Sequence, residues 1–344
     1  MPRELIAAAP RTLEWREYEE PELRPGQVRL KSEFSAAKHG TEMAFYKGYA
    51  HGRGSWNEAL QLFEGRSGSK ETVGYPFHVG NMVVGTVTDV GEGVTGLAVG
   101  DRAYAWRSFR ETHTLRATDC VKMDNGLTWR SAVCNDPAHF ALGGVRDGKV
   151  RVGDRVAVFG LGAIGLMAVQ IARVSGAIQV IAVDPVAGRR EVARRLGANL
   201  TIDPVAEDAG KRVKEATGGR GADACLEYSG SRDGLQHAVR GVAYGGNVVC
   251  GAFPPPYGAG LDLGAEAHLN VPNLVFSRAC SVPDRDHPRW DWDRVRETCR
   301  LLLERGTIRG DDIVSPVVKF DDLKDEYARV ATDPQAGIKL GVEH

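Results

Sequence analysis

A glycine-rich turn between a predicted strand and a predicted helix is the feature that most constrains how this chain can fold. Residues 156–167 read V-A-V-F-G-L-G-A-I-G-L-M, in which apolar residues flank the pattern G-x-G-x-x-G. In this context the pattern is the fingerprint of a dinucleotide-binding unit. The first glycine permits the tight turn, the second lets the backbone approach a pyrophosphate, and the third lets the helix pack close to the strand. The N–H groups that begin the helix would face the phosphates. We predict cofactor contacts at Gly160, Gly162, Ala163, Ile164 and Gly165.

An acidic residue follows the second predicted strand. Residues 178–183 are mostly apolar and end at Asp184, where a carboxylate would accept hydrogen bonds from the adenosine ribose. Such a carboxylate would repel the extra phosphate of NADP, so the sequence predicts NAD. Arg189 and Arg190 keep NADP as an alternative, because an arginine can accommodate that phosphate, and we predict that Arg189 contacts the cofactor. In the other interpretation, Asp184 only caps the next helix.

The alternation of strands and helices continues beyond this point. Further strands are predicted at 199–203, 222–230 and 246–253, with helical segments between them. This alternation predicts a parallel, doubly wound sheet, in which ligands bind at the carboxyl ends of the strands. We therefore predict further cofactor contacts at Ser229, Gly251, Ala252 and Phe253.

Composition excludes several classes of protein. The 344 residues suffice for two domains, and 44 basic against 45 acidic residues argue against a general nucleic-acid or anionic-membrane partner. The six cysteines contain no C-x-x-C pair, which argues against a disulfide framework or a cysteine-rich zinc lobe. Most are expected to be buried apolar fillers. The chain begins without a signal-peptide pattern, and the apolar run 156–172 is short for a membrane span and interrupted by glycines. We expect a cytoplasmic protein.

The first part of the chain lacks the alternation of strands and helices. Residues 28–34 alternate apolar and polar side chains, and 83–90 and 99–104 are rich in strand formers. These segments predict an antiparallel, barrel-like region. We also predict an amphipathic helix at 292–305, and a return to the first domain through 314–320 and the last residues. The expected domains are 1–147 with 287–344, and 148–286 inserted between them.

Together these motifs resemble the medium-chain dehydrogenase/reductase superfamily, which includes the zinc alcohol dehydrogenases. The resemblance runs in order through 83–101, the segment V-G-D-R-V-A-V at 152–158, the glycine turn and Asp184. It implies an α/β protein in which a GroES-like antiparallel β-barrel catalytic domain accompanies a Rossmann doubly wound parallel sheet. It also implies an oxidoreductase that uses a nicotinamide cofactor.

The motifs that hold catalytic zinc in such relatives are altered here. His39-Gly-Thr-Glu stands where they resemble C-G-[ST]-D, and Gly80-Asn81-Met stands where they resemble G-H-E. Asp136-Pro matches the third motif, which leaves His39, Asn81 and Asp136 as a donor set. A neutral amide is a poor zinc ligand, so we expect no bound metal. The G-T-E triplet and the later Gly-Tyr at 74–75 resemble zinc-independent cyclitol, sugar or bacteriochlorophyllide-type dehydrogenases.

Without zinc, side chains must accept the proton of the alcohol. His39 is the predicted base, because imidazole titrates near neutral pH. Thr41 matches the position whose hydroxyl touches the substrate oxygen in relatives, and Asp136 is predicted either to act as base or to hold His39 in one tautomer. The structural alternatives are a buried histidine bonded to a carbonyl and an aspartate at a helix start.

The segment between the first two motifs indicates a polar substrate. Residues 43–79 include many polar and aromatic side chains, which a polyhydroxylated substrate needs because each hydroxyl must exchange water for a partner. We predict that the substrate is a secondary alcohol of a sugar, cyclitol or polyol. Arg53 and Arg66 keep a sugar phosphate as an alternative substrate. For the residues after Glu64, the alternative interpretation is a solvated surface loop. The predicted substrate contacts are Tyr46, Trp56, Asn81 and His139.

Two other functions stay open from the sequence. One is an NADPH-dependent quinone or enone reductase of the same superfamily, and the other is a protein that binds NAD without turnover. We also expect a homodimer or homotetramer, formed through the sheet edge at 273–280, with no nucleic acid and no membrane among its partners.

Overall fold

The computed structural model describes residues 1–38, 40–48, 54–64, 74–123 and 126–344. Two compact units divide the chain: a terminal unit of Met1–Met123 with Pro316–His344, and a central unit of Asp124–Ser315. The predicted inserted segment 148–286 lies within the central unit. The domain boundaries given above stay a prediction.

The described residues contain eighteen strands and ten α-helices. The strands are β1 (Arg3–Ala9), β2 (Thr12–Glu17), β3 (Gln27–Ala36), β4 (Ser55–Asn57), β5 (Leu62–Glu64), β6 (Phe77–His78), β7 (Met82–Val90), β8 (Arg102–Ala105), β9 (Thr112–Arg116), β10 (Val121–Lys122), β11 (Arg155–Phe159), β12 (Gln179–Val183), β13 (Leu200–Ile202), β14 (Ala222–Glu227), β15 (Val242–Cys250), β16 (Asn273–Phe276), β17 (Val314–Lys319) and β18 (Lys339–Glu343). The helices are α1 (Thr41–Tyr46), α2 (Trp129–Val133), α3 (Asn135–Asp147), α4 (Ala163–Val174), α5 (Ala187–Arg195), α6 (Ala209–Ala216), α7 (Arg232–Gly241), α8 (Glu266–Asn270), α9 (Trp292–Glu304) and α10 (Leu323–Thr332).

Antiparallel pairing dominates the terminal unit. Its main sheet has the order β10-β8-β7-β3-β18-β17, with β9 also paired to β3. A second sheet has the order β2-β1-β6, and β4 and β5 form a hairpin. The predicted strands at 28–34 and 83–90 are present, and the C-terminal strands return to this sheet as expected. The strand predicted at 99–104 begins only at Arg102, because Gly100 takes a φ of +92° in a turn and Val99 is 66% exposed.

A six-stranded parallel sheet forms the centre of the other unit. Its order is β13-β12-β11-β14-β15-β16, and every neighbouring pair in it is parallel. The strand predicted to end at 230 ends at Glu227, since Gly230 turns the chain with a φ of +64°. The strand predicted from 246 begins earlier, at Val242. Helices alternate with these strands, so the predicted doubly wound arrangement is confirmed.

Two further expectations concern the apolar segments. The run 156–172 is divided between β11 and α4, and no described helix is long and apolar enough to cross a membrane. The amphipathic helix predicted near the C-terminus is α9; Asp291 caps it by accepting from Arg294 N at 2.8 Å, and its apolar face is buried. All six cysteines are free thiols; Cys134, Cys225 and Cys299 are buried as predicted for fillers, whereas Cys120, Cys250 and Cys280 are half-buried.

Candidate functional site

The glycine-rich turn joins the carboxyl end of β11 to the start of α4. Gly160 has a φ of +87°, and a Cβ there would overlap the backbone of Ser229. A Cβ at Gly165 would overlap the carbonyl oxygen of Gly160, so only glycine allows this approach of helix to turn. Gly162 differs, because no described heavy atom lies within 4 Å of the place where its Cβ would be. The turn therefore has two glycines required by packing and one that borders open space.

Asp184 contacts this turn from the end of β12. The residue is 3% exposed, and its Oδ2 accepts a hydrogen bond of 2.8 Å from Leu161 N, inside the turn. Its Oδ1 accepts from Val186 N at 2.8 Å, just before α5. The carboxylate thus supports the helix start, as the alternative interpretation held, and also joins two strand ends. Each oxygen keeps a second lone pair with which a hydroxyl could bond.

The two arginines beyond Asp184 have different surroundings. Arg190 donates to the carbonyl oxygens of Asp184 and Pro185 at 2.7 and 2.8 Å and pairs with Asp203 at 3.0 Å. Its guanidinium is therefore engaged in fixing the strand end. Arg189 has its Nη1 3.8 Å from Asp184 Oδ2. Of the two, Arg189 is the one placed beside the predicted ribose-binding carboxylate.

A second buried carboxylate lies on the other side of the turn. Glu227, the last residue of β14, is 1% exposed. Its Oε1 accepts from Ser229 N at 2.7 Å, from the Ser229 hydroxyl, and from Gly230 N at 3.0 Å. Burial raises the pKa of Glu227 to about 7. The sequence analysis missed this residue; a lone acid at the end of an apolar strand was the available signal.

The segment after β15 completes this edge of the sheet. Gly251 N donates to the carbonyl oxygen of Glu227 at 3.0 Å, and a Cβ on Gly230 would be 3.3 Å from that of Ala252. Phe253 follows and is 40% exposed. The predicted cofactor residues of the turn, of β12, of β14 and of β15 therefore meet at one edge of the parallel sheet.

In the terminal unit, Thr41 is the first residue of α1 and Asn81 directly precedes β7. Asn81 N donates to Ala36 O at 3.0 Å, so the two altered zinc motifs lie beside each other at the ends of paired strands. The Nδ2 of Asn81 is buried without a hydrogen-bond partner among the described residues. An amide donor is thus available to an incoming oxygen. His39, the predicted base, lies outside the described residues.

A buried network that the sequence analysis missed fixes these motifs. Glu42 is 9% exposed; its Oε1 accepts from the Tyr327 hydroxyl at 2.6 Å and its Oε2 from Lys38 N at 3.4 Å. Burial raises the pKa of Glu42. That rise is opposed by the hydrogen bond from Tyr327, by hydrogen bonds from Gly80 N and Lys38 N, and by the charge of Lys339. The Lys339 ammonium donates to Ala37 O at 2.7 Å. Glu42 therefore ties both motifs to the C-terminal segment.

Two predicted substrate contacts of this unit differ in exposure. Tyr46 is 3% exposed; its ring packs edge-on against Tyr327 at 5.1 Å and its hydroxyl donates to Arg11 O at 3.2 Å. This placement favours a packing role over the predicted contact with substrate. Trp56 is 45% exposed on the β4–β5 hairpin, with its ring 5.1 Å from that of Phe63. The predicted polar residues Arg53 and Arg66 lie outside the described residues.

Asp136 and His139 both lie on α3, in the central unit. Asp136 is in the first turn of this helix, whose N-cap position is Cys134, and is 6% exposed. His139 is fully buried and packs edge-on against Trp292 at 5.0 Å. Their spacing of three puts both side chains on the same face of the helix.

The described residues contain no group of three or more His, Cys, Asp or Glu side chains that could hold a metal ion. Of the donor set named from the motifs, His39 is outside the described residues, and Asn81 offers a neutral amide. Three good donors with an open fourth position are what a catalytic zinc needs. Asn81 and Asp136, the two described members of this set, do not supply the three good donors that such an ion needs.

Comparison with known proteins gives consistent matches. A family model described as "Zinc-binding dehydrogenase" matches residues 163–280. The chain is 42% identical, over 99% of both chains, to the D-guloside 3-dehydrogenase of Escherichia coli (strain K12). The solved structure of 2R,3R-butanediol dehydrogenase from Bacillus subtilis has a TM-score of 0.77 and is 22% identical over 100% of both chains. The structure of a zinc-binding dehydrogenase from Sinorhizobium meliloti 1021, bound to NADP, also has a TM-score of 0.77; it is 21% identical over 100% of this chain and 99% of that one. The predicted combination of antiparallel and parallel sheets is therefore confirmed.

Proposed function

Because the chain belongs to the zinc-binding dehydrogenases of the medium-chain dehydrogenase/reductase superfamily, we propose that it is an NAD-dependent dehydrogenase acting on a sugar-like, cyclitol or polyol substrate. The group oxidised is a secondary alcohol, and catalytic zinc takes no part. The observation that carries the proposal is the 42% identity, over nearly the whole of both chains, with an enzyme named for oxidising position 3 of a guloside. The polar segment before β7 agrees with a hydroxylated substrate.

The central unit is proposed to bind the cofactor. The open space beside Gly162 gives the pyrophosphate room to approach the backbone N–H groups at the start of α4. Asp184 would accept from the ribose hydroxyls with its remaining lone pairs, and Arg190 is already bonded to the strand end and to Asp203. This arrangement favours NAD over NADP. When bound, the nicotinamide supplies the acceptor for the hydride.

The terminal unit is proposed to orient the alcohol and move its proton. Thr41 and the unpaired Nδ2 of Asn81 would hold the substrate oxygen, and His39 would take the proton. Thr41 can pass that proton because a hydroxyl both donates and accepts. The buried amide at position 81 supports this interpretation, in which hydrogen bonds replace a metal at the reacting oxygen.

The direct test is to follow the NADH absorbance band with chelator-treated enzyme and a panel of gulosides, other sugars, inositols, polyols and simple alcohols. Turnover on a hydroxylated substrate, with metal analysis showing no zinc, is the expected result. Activity that returns only on adding zinc would refute the zinc-independent part of the proposal. Turnover of quinones or enones with NADPH, and of no alcohol, would favour the reductase alternative. NAD binding without any turnover would indicate a non-catalytic protein.

Thr41→Val is expected to lower kcat about a hundredfold, because it keeps the shape of the side chain and removes the hydroxyl that contacts the substrate oxygen. NAD affinity should stay unchanged, since that binding belongs to the central unit. Thr41→Ser should restore most of the rate. Steady-state kinetics and fluorescence titration of NAD measure both quantities, and an unchanged kcat in Thr41→Val would remove this residue from the mechanism.

Asp184→Asn is expected to weaken NAD binding about tenfold and to reduce the preference for NAD over NADP, because one acceptor and the negative charge are lost. Asp223→Asn is the matched control. Asp223 also accepts a backbone hydrogen bond, of 2.8 Å from Arg155 N, but at the amino end of β14. The dissociation constants of each variant for NAD and for NADP measure this preference. An unchanged ratio in Asp184→Asn would mean that Asp184 only supports the turn and the helix.

Assembly and location are part of the proposal. Strand β16 is the last strand of the described parallel sheet, and its Phe276 is 74% exposed. We propose that this edge pairs two chains in a homodimer or homotetramer. The free thiols agree with a reducing cytoplasm as the setting.

A further inference from the structure

Glu227 is a buried carboxylate held by donors alone. It lies in register with Phe159 of β11 and Cys250 of β15, in the middle of the sheet. Hydrogen bonds from Ser229 and Gly230 oppose the effect of burial on its pKa, and no described Lys, Arg or His contributes. Because folding raises this pKa from its ordinary range, the ionised form weakens the fold at and above neutral pH. Fold stability therefore does not explain a carboxylate at this position.

The carboxylate instead shapes the turn beside the glycine-rich segment. Ser229 donates to it through both its N–H and its hydroxyl, and Gly230 adds a third donor. The Ser229 and Ser231 hydroxyl oxygens are 2.9 Å apart, and Ser231 caps α7. Ser229 in turn lies so close to Gly160 that no Cβ fits between them. A change in the turn 229–231 would therefore displace the segment proposed to bind the cofactor.

We propose that Glu227 is a positioning residue that links cofactor binding to the release of a proton. In its ionised form it accepts all three hydrogen bonds and holds the turn 229–231 against Gly160. In its protonated form Glu227 is a neutral and therefore weaker acceptor, so the hydrogen bonds from Ser229 and Gly230 weaken and the turn loosens. NAD prefers the ionised form. The inference rests on the proposed binding of NAD at this edge of the sheet.

The value of about 7 for the pKa of Glu227 places this change at neutral pH. The titratable groups that face it are the Cys250 thiol on β15, the Tyr257 phenol beyond it, and the neighbouring Tyr228. Burial raises the pKa of Cys250 to about 11 and that of Tyr257 to about 12, and it raises the pKa of Tyr228 as well. These neighbours stay neutral between pH 6 and pH 8. Among these groups, Glu227 should therefore account for the proton that is released when NAD binds.

Calorimetric titration of the full-length protein with NAD tests this proposal. NAD is the probe because it lacks the phosphate monoester of NADP, which itself titrates near pH 6. Titrations at pH 6, 7 and 8, each in two buffers of different ionisation enthalpy, count the protons released. We expect about half a proton per NAD at pH 7, and about tenfold weaker binding at pH 6 than at pH 8.

Glu227→Gln should bind NAD more weakly than the protein in which Glu227 is ionised, and its affinity should not change with pH. It should release no proton when NAD binds. Glu215→Gln, which neutralises an exposed carboxylate in the same unit, should behave as the unaltered protein. Ser229→Ala gives a second test that does not depend on the Glu227→Gln variant folding. Removing its hydroxyl raises the pKa of Glu227, so the midpoint of the affinity profile should move to higher pH.

Proton release that persists in Glu227→Gln, or a profile that Ser229→Ala does not move, would overturn this inference and leave the proposed function intact. Absence of NAD binding by the unaltered protein at every pH would overturn the proposed cofactor site itself. The two failures are therefore distinguishable.

Discussion

Gly162→Ala is expected to fold normally and to bind NAD about tenfold more weakly or worse, whereas Gly165→Ala is expected to lose much of its stability. The two positions belong to the same turn but have different surroundings. A Cβ at residue 162 enters open space, which is the space that the pyrophosphate is proposed to use. The N-cap position of α4 tolerates alanine with a loss below about 1 kcal/mol.

At residue 165 the added methyl group would overlap the carbonyl oxygen of Gly160. Overpacking of this kind destabilises by about 3 kcal/mol, because the helix must move away from the strand. For a unit of this size the melting temperature should fall by about 6–12 °C. Thermal unfolding and NAD titration of both variants separate the two roles. Equal loss of affinity and stability in both would mean that Gly162 is also required by packing.

This difference shows what the sequence could and could not establish in the cofactor half of the chain. The pattern around Gly160 predicted a strand, a turn and a helix, because the local spacing of glycines and apolar residues is enough to define them. The same pattern could not show that Glu227 holds the neighbouring turn. That contact depends on two strands being adjacent, and their order in a sheet is a property of the whole fold.

In the terminal unit, contacts that the local sequence does not predict join residues even farther apart along the chain. Residues 39–42 were recognised as an altered motif, yet the partners of Glu42 are Tyr327 and Lys339, nearly three hundred positions away in the chain. Nothing in the local sequence marks those two residues. The predicted substrate contact of Tyr46 stays a prediction, and the local sequence did not show that its ring packs in the core beside Tyr327.

Lys339→Met is therefore expected to have a large effect, although residue 339 lies outside every motif. Lys339 is 2% exposed, donates to Ala37 O at 2.7 Å, and its charge lowers the pKa of buried Glu42. Removing the ammonium leaves the buried Ala37 carbonyl oxygen without this donor and Glu42 without a compensating charge, and a buried polar group left unsatisfied destabilises by about 1–3 kcal/mol. The exposed pair of Lys319 with Glu343 supplies the matched control, and Lys319→Met should change stability by about 1 kcal/mol or less.

The pH dependence of this loss identifies its cause. Folding raises the pKa of Glu42, so its contribution to stability is present at low pH and is lost as the pH rises and the carboxylate ionises. Without Lys339 that pKa rises further, so Lys339→Met should lose less stability at pH 5 than at pH 8. Adding Glu42→Gln should recover part of the loss at pH 8. Urea unfolding of the single and double variants at both pH values provides the comparison. A loss independent of pH, or no recovery in the double variant, would show that Lys339 acts through packing of its alkyl chain and not through the charge of Glu42.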